Sequence, residues 1–221
     1  MFVQYWMAKS LIVATEEMNL EEALYLMQRR KIRRLPVVRG DNELRGIIAL
    51  SDIYPYVGPH AMTKALLSKE VTQELQKVRV GAVMTASPIT CPPRATIDEV
   101  GVVMRRRKIG AIPVVEGLTV VGIVTESDIL SALATIAQVG SDSRRILFRI
   151  PLTNRMDIFY KTISLCEKNG IEILTILIQA VPEERGHLVM LRVRGKNVQE
   201  FIDLLRSLRY DVLAAQSMPL P

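Results

Sequence analysis

Ile109-Gly110-Ala111-Ile112-Pro113-Val114-Val115, together with Ile32-Arg33-Arg34-Leu35-Pro36-Val37-Val38 at an offset of 77 positions, is the stretch whose reading decides the fold. Each run places Pro-Val-Val after an apolar start and reads as a β-strand. Ahead of each lies a basic cluster, Arg29-Arg30-Lys31 or Arg105-Arg106-Arg107-Lys108, and ahead of that a helix start at the same offset. Asn19-x-x-Glu22 and Thr96-x-x-Glu99 each pair a capping side chain with an acidic residue three positions later. Leu20, Ala23, Leu24 and Met27 form an apolar stripe at helical spacing, and Ile97, Val100, Gly101 and Met104 repeat it. Downstream, Gly40-Asp41-Asn42 or Glu116-Gly117 turns the chain into a second strand, Arg45 to Leu50 or Val120 to Thr125, where the offset falls to 76. Ser51-Asp52-Ile53 and Ser127-Asp128-Ile129 then open a further helix. With Ile12-Val13 and Ile89-Thr90 read as strands before the first helix, the repeated unit is strand, helix, two strands, helix.

Between the copies, residues 60–78 read as a helical connector, with Leu66, Leu67, Val71, Leu75 and Val78 near helical spacing. The basic clusters admit two readings. Cations in a helix's last turn complement its dipole, and they can equally stand near a phosphate.

The order of Val83-Met84-Thr85, Pro88-Ile89-Thr90, the Ile109 to Val115 run and Gly122-Ile123-Val124-Thr125-Glu126-Ser127-Asp128 resembles a CBS (cystathionine-β-synthase-type) motif, here in tandem. The first copy is the more degenerate, with Trp6-Met7-Ala8 in place of Val83-Met84-Thr85 and Ala49 in place of Thr125. The resemblance implies an α/β (α+β) CBS-domain pair, or Bateman module, with pseudo-twofold symmetry and two clefts that hold adenosine-containing ligands. Asp52 and Asp128 are then the ribose candidates, because a carboxylate can accept charge-assisted hydrogen bonds from both hydroxyls. Ser51, Thr125 and Ser127 stand at strand-to-helix junctions, where hydroxyls and free N–H groups favour phosphate. Ile12, Val13, Ile89 and Thr90, with Ile32 and Ile109, would supply the adenine slot. Arg34, Pro36, Ala111, Pro113 and Gly122 complete the candidate nucleotide-binding set. Helix capping alone would also account for either aspartate.

After the polar link Gly140-Ser141-Asp142-Ser143 the pattern changes. Ile146 to Leu152 reads as a strand. Asn154 to Asn169 reads as a helix with Phe159, Ile163 and Cys166 inward and Gly170 as its C-terminal cap. Ile171 to Ala180 and His187 to Val193 read as a hairpin around Pro182 to Gly186. A helix capped by Asn197, with Val198, Phe201, Ile202 and Leu205 inward, leads to a last strand at Tyr210 to Ala214. The order βαββαβ is that of a ferredoxin-like sandwich. With Asn169-Gly170-Ile171-Glu172-Ile173-Leu174 after the first helix, it is similar to an ACT domain, a module that commonly binds amino acids and pairs between chains. Where ACT domains usually carry a glycine at the first helix, this chain has Asn154-Arg155-Met156-Asp157.

The expected organisation is a first CBS motif at 1–58, a connector at 59–78, a second motif at 79–140 and an ACT-like domain at 144–216. A CBS pair with such a tail also resembles the bacterial acetoin-utilisation accessory proteins. The implied function is regulatory: an adenine nucleotide (AMP, ADP, ATP or a related adenosine ligand) binds a cleft and changes conformation or assembly. A homodimer and an unidentified regulated protein are the implied partners. A nucleic-acid-binding regulator and a non-binding scaffold are the alternatives.

Composition sets the outer limits. At 221 residues and 49% hydrophobic, the chain has material for one large or two small cores. No apolar stretch approaches the roughly 18 to 20 residues of a membrane span, and the N-terminus does not read as a signal peptide, so a cytoplasmic location is expected. The net charge of +6 is spread, with 11 basic and 9 acidic groups in 1–78, 6 and 6 in 79–143, and 12 and 8 in 144–221. Aromatics are 5%, and no nucleic-acid-reading motif occurs. Neither a Gly-rich phosphate loop nor His-Glu-x-x-His occurs, and His60 and His187 lack evident partners; no catalytic residue and no metal site is expected. Cys91 and Cys166 read as reduced, buried thiols.

Overall fold

The computed structural model describes residues 1–57, 69–138, 143–151, 155–181 and 186–217, in two compact units, Met1–Ala132 and Leu133–Pro221. Leu66 and Leu67 of the connector, Asn154, and the turn at 182–185 lie outside the described residues.

In the first unit, α1 (Leu20–Arg30), β1 (Arg34–Arg39), β2 (Glu43–Ala49) and α2 (Leu50–Val57) are repeated by α5 (Ile97–Arg107), β4 (Ala111–Glu116), β5 (Thr119–Thr125) and α6 (Glu126–Ile136), the last of which runs into the second unit from Leu133. Between them lie α3 (Lys69–Lys77), the short α4 (Val80–Val83) and β3 (Thr85–Ala86). The local causes are duplicated as well. Asn19 accepts from the Glu22 N–H while Glu22 accepts from the Asn19 N–H, and Thr96 and Glu99 do the same, so both capping boxes close. Both helices end on a left-handed lysine, Lys31 at φ 54° and Lys108 at φ 55°. Both hairpins are antiparallel and carry a register shift at the same place, between Val37 and Val38 and between Val114 and Val115. The sheet order β1-β2-β5-β4 reads alike from either end, with β2 and β5 joined at Glu43↔Thr119 and β3 paired to β2.

The strands expected at Ile12-Val13 and Ile89-Thr90 do not form. Only single parallel bridges are present, Ala14↔Val37 and Cys91↔Val114. Pro88, Pro92 and Pro93 flank the second of these segments and have no N–H to extend a ladder.

Each repeat's core is closed by the other repeat's leading segment. Leu20, Leu24, Met27, Leu35 and Ile48 of the first repeat pack with Val80, Val83 and Met84. Ile97, Met104, Ile112 and Val124 of the second pack with Val3, Trp6 and Met7. Two glycines allow the crossing. A β-carbon on Gly46 would stand 2.5 Å from Met84 Sδ and 2.9 Å from the Thr85 carbonyl oxygen. One on Gly122 would meet Met7 Sδ and stand 3.2 Å from the Ala8 carbonyl oxygen.

The second unit runs β6 (Arg144–Pro151), α7 (Arg155–Lys168), β7 (Glu172–Val181), β8 (Gly186–Arg194), α8 (Val198–Ser207) and β9 (Asp211–Ser217). Its sheet is antiparallel throughout in the order β7-β8-β6-β9, the ferredoxin-like arrangement. Ile146, Phe148, Val189 and Leu191 form its core with Ile158, Phe201 and Ile202. Two local expectations shift. The buried stripe of α7 is Ile158, Thr162 and Cys166, with Phe159 and Ile163 half-buried beside it. Asn197 occupies the N-cap of α8 but makes no side-chain cap, because its backbone (φ −105°, ψ 30°) is not extended. Gly170 follows α7 at φ +64°, as a left-handed cap requires. Cys91 and Cys166 are free and buried, and burial pushes both thiols up to about 11.

Candidate functional site

A cleft of about 430 Å³ lies between the two repeats. The first repeat contributes Ala8, Ser10, Ile12, Lys31, Ile32, Arg33 and Arg34, and the second contributes Gly110, Ile123, Thr125, Glu126, Ser127 and Asp128. Two junctions create it. The left-handed Lys31 stops α1 and swings Ile32 to Arg34 towards β1, and the end of β5 passes directly into α6 at Thr125-Glu126. Ala8 and Ile123 exchange backbone hydrogen bonds of 2.9 and 3.2 Å, tying the leading segment of one repeat to β5 of the other.

Asp128 is held from behind. Its Oδ2 accepts from the Thr125 N–H and the Thr125 hydroxyl, each at 2.7 Å, while the Asp128 N–H donates to Thr125 Oγ1 at 3.4 Å. Thr125 is thus the N-cap of α6 and Asp128 its reciprocal partner three residues on. A carboxylate offers about four acceptor positions, so the two bonds at Oδ2 leave those of Oδ1. No hydrogen bond to Oδ1 is made among the described residues. Capping and ligand contact are therefore compatible in one side chain.

The twofold counterpart is poorer. Asp52 Oδ2 accepts from the Ala49 N–H at 2.7 Å, but Ala49 has no hydroxyl to complete the set. The repeat offset places Gly110 and Ala111 where the Asp128 cleft has Arg33 and Arg34. The two arginines therefore stand on one side of the symmetry only, whereas Lys31 has its counterpart in Lys108. Lys31, Arg33 and Arg34 face Glu126 and Asp128 in lining the cleft, an excess of one positive charge. The Arg34 guanidinium crosses over Gly110, where any β-carbon would collide with it.

Of the residues expected at a site, Ile12, Ile32, Arg34, Thr125, Ser127 and Asp128 come together here. Val13, Pro36, Ser51, Asp52, Ile89, Thr90, Ile109, Ala111, Pro113 and Gly122 do not line this cleft. Pro36 and Pro113 are buried, and their carbonyls accept from Ala14 and Cys91. Gly122 serves the crossing of Met7. Ile89 and Thr90 are exposed. Lys31, in a basic cluster read either as a helix finish or as a neighbour of phosphate, lines the cleft, and so do Ala8, Ser10, Arg33, Gly110, Ile123 and Glu126 from outside the candidate set. Arg33 had a signal in the basic run past the helix end, and Ile123 and Glu126 lay within the CBS-like motif; Ser10 had none. No metal-binding group of His, Cys, Asp or Glu occurs among the described residues.

The CBS-domain family model matches residues 3–58 and 80–135, the two repeats. The chain belongs to the CBS-domain family. A CBS domain-containing protein from Dictyostelium discoideum is 30% identical over 140 residues, which is 62% of this chain and 93% of that protein. An uncharacterized protein of Methanocaldococcus jannaschii, MJ1225, is 32% identical over 130 residues, 58% of this chain and 46% of its own length. Among solved structures, the CBS domain of a CBS domain-containing membrane protein from Sphaerobacter thermophilus superposes with a TM-score of 0.51 at 28% identity, covering 59% of this chain and 86% of that one. No helix among the described residues is long and apolar enough to cross a membrane.

Proposed function

We propose that this CBS protein is a regulatory sensor, not an enzyme, and that an adenosine-containing nucleotide occupies the Asp128 cleft. The supporting observation is the convergence of Asp128, Thr125 and Ser127 from one repeat with Ile12, Ile32, Arg33 and Arg34 from the other. In this reading Asp128 Oδ1 accepts from the ribose hydroxyls, and Ile12 with Ile32 covers the base. Arg33, Arg34 and the N-terminal amides of α6 take the phosphates, since helix N-termini and guanidinium forks both favour oxyanions. The counterpart cleft at Asp52, without the hydroxyl and the arginines, binds more weakly or selects an uncharged adenosine compound.

Binding becomes regulation only through a difference in affinity between two states, and coupling of about 1 to 3 kcal/mol suffices. Dimerisation is the proposed relay. Leu130 and Leu133 on α6 and Tyr54 on α2 are exposed apolar side chains of the kind that a second copy covers. The ferredoxin-like unit is proposed as an ACT-like pairing domain on its βαββαβ order, and the site is proposed to work in the cytoplasm.

A scaffold reading has one observation in its favour, the Asp128 carboxylate already engaged as a cap. Calorimetry of the full chain against AMP, ADP, ATP and S-adenosylmethionine separates the two. We expect saturable binding by at least one of them, a melting rise corresponding to about 2.7 kcal/mol at 100 times the dissociation constant, and loss of both in Asp128→Ala. A flat response to the whole panel at millimolar concentration leaves the scaffold.

A further inference from the structure

In the second unit, α7 and α8 pack on one face of the sheet, where Ile146, Phe148, Val189 and Leu191 are buried. Strand alternation sends Arg145, Leu147 and Arg149 of β6 and Leu188, Met190 and Arg192 of β8 to the opposite face. The register sets Arg145 opposite Arg192 and Leu147 opposite Met190, with Thr175 and Leu177 of β7 next to Arg192 and Met190. Like charges directly opposite one another on neighbouring strands repel.

Two other arginines of this sheet stand beside carboxylates, and a third, Arg144, donates to Gln199 Oε1 at 3.3 Å. Arg149 lies 3.7 Å from Asp211, and Arg194 lies 3.6 Å from Glu172. Arg145 and Arg192 have no carboxylate within 4.0 Å among the described residues. Arg192 is only 3% exposed. Its hydrogen bond among the described residues is a long one, Nη1 to Ser143 Oγ at 3.4 Å, and the Nε atoms of both arginines are buried without a partner. Burial, and secondly the charge of Arg145, pull the Arg192 pKa down. A guanidinium does not shed its proton at physiological pH, so among the described residues the charge persists without a carboxylate partner. A buried cation of this kind needs a counter-ion.

We propose that Arg145 and Arg192 form an oxyanion site that takes the carboxylate or phosphate of a small molecule, with Leu147, Met190 and Leu177 beside it receiving the apolar part. Two forks side by side present paired donors matched to an oxyanion's geometry. Arg145 is half-buried and gives the site its access to solvent. Leu177, 50% exposed, marks the open end of the apolar row. The site belongs to the ferredoxin-like unit and does not depend on the nucleotide reading of the CBS cleft.

The test is thermal unfolding of the full chain in sodium acetate, sodium hexanoate or inorganic phosphate, each against sodium chloride at equal ionic strength. At least one oxyanion is expected to raise the melting temperature by about 2 to 4 °C over chloride. Hexanoate above acetate identifies a carboxylate with its tail on the apolar row, and phosphate above both identifies a phosphate. Arg145→Met abolishes the response while leaving the anion-free melting temperature unchanged or higher, because a repulsion is removed. Arg145→Lys, which keeps the charge and loses the fork, retains part of the response. Arg34→Ala, in the CBS cleft, leaves it intact. The proposal is overturned if no oxyanion outperforms chloride, if Arg145→Met keeps the response, or if Arg34→Ala removes it.

Discussion

Replacing Ala49 by threonine tests whether the twofold relation between the repeats extends to hydrogen-bond detail. Ala49 and Thr125 hold equivalent N-cap positions, and both are followed three residues later by an aspartate whose Oδ2 accepts from the cap N–H at 2.7 Å. At Thr125 the hydroxyl adds a 2.7 Å bond to Asp128 and a weak 3.4 Å bond from its N–H. A hydrogen bond to a charged group contributes roughly 1.5 to 3 kcal/mol, and N-cap substitutions span about 0.5 to 2 kcal/mol. The site is only half-buried, and the new side chain loses rotamer freedom, so about 1 kcal/mol of added stability is expected. That corresponds to a rise of roughly 2 to 4 °C in the melting temperature of a chain this size. Calorimetry on Ala49→Thr, Asp52→Ala and the double variant gives the coupling directly. The gain should fall to the small share of the weak N–H bond in the Asp52→Ala background. An undiminished gain there, or a loss of stability in Ala49→Thr alone, refutes the equivalence of the two junctions.

The crossing segments make two further predictions. Gly46→Ala should cost about 1 to 3 kcal/mol in urea denaturation, because its β-carbon meets a backbone oxygen, whereas Gly122→Ala should cost less because the mobile end of Met7 can yield. Val3→Ala should speed alkylation of Cys91, which shares its cluster, and Val80→Ala should leave that rate unchanged, even though Val80 is nearer in sequence. The thiols also set a pH dependence. Their folded values are raised from the ordinary 9.0 to about 11, so stability from the buried neutral thiols is full below pH 9 and declines as pH rises towards 11. Cys91→Ala and Cys166→Ala should each flatten that decline in urea midpoints taken between pH 8 and 10.5, and an unchanged slope contradicts the assignment.

Much of the fold was legible because its causes are local. Asn19 with Glu22, Thr96 with Glu99 and the stripes behind them need only the next few residues to act, and they recur 77 positions apart with the same result. The α8 stripe was legible for the same reason, since Val198, Phe201, Ile202 and Leu205 are all buried. The Asn197 cap failed because its backbone angles, which composition does not encode, keep the side chain from the helix amides. The α7 stripe slipped by one position because apolar Phe159 and Ile163 flank it, and only packing against the sheet decides which line of a broad apolar face goes inward.

The sequence by itself determined the duplication, the capping boxes of α1 and α5, the hairpins and the βαββαβ order, since each depends on side chains a few positions apart. Tertiary structure alone decided which leading segment closes which core, that Arg33 and Arg34 join Asp128 and not Asp52, and that Arg145 stands opposite Arg192. Those pairings join residues tens of positions apart, and their register follows from how complete apolar faces pack together, a property no short stretch of the chain carries.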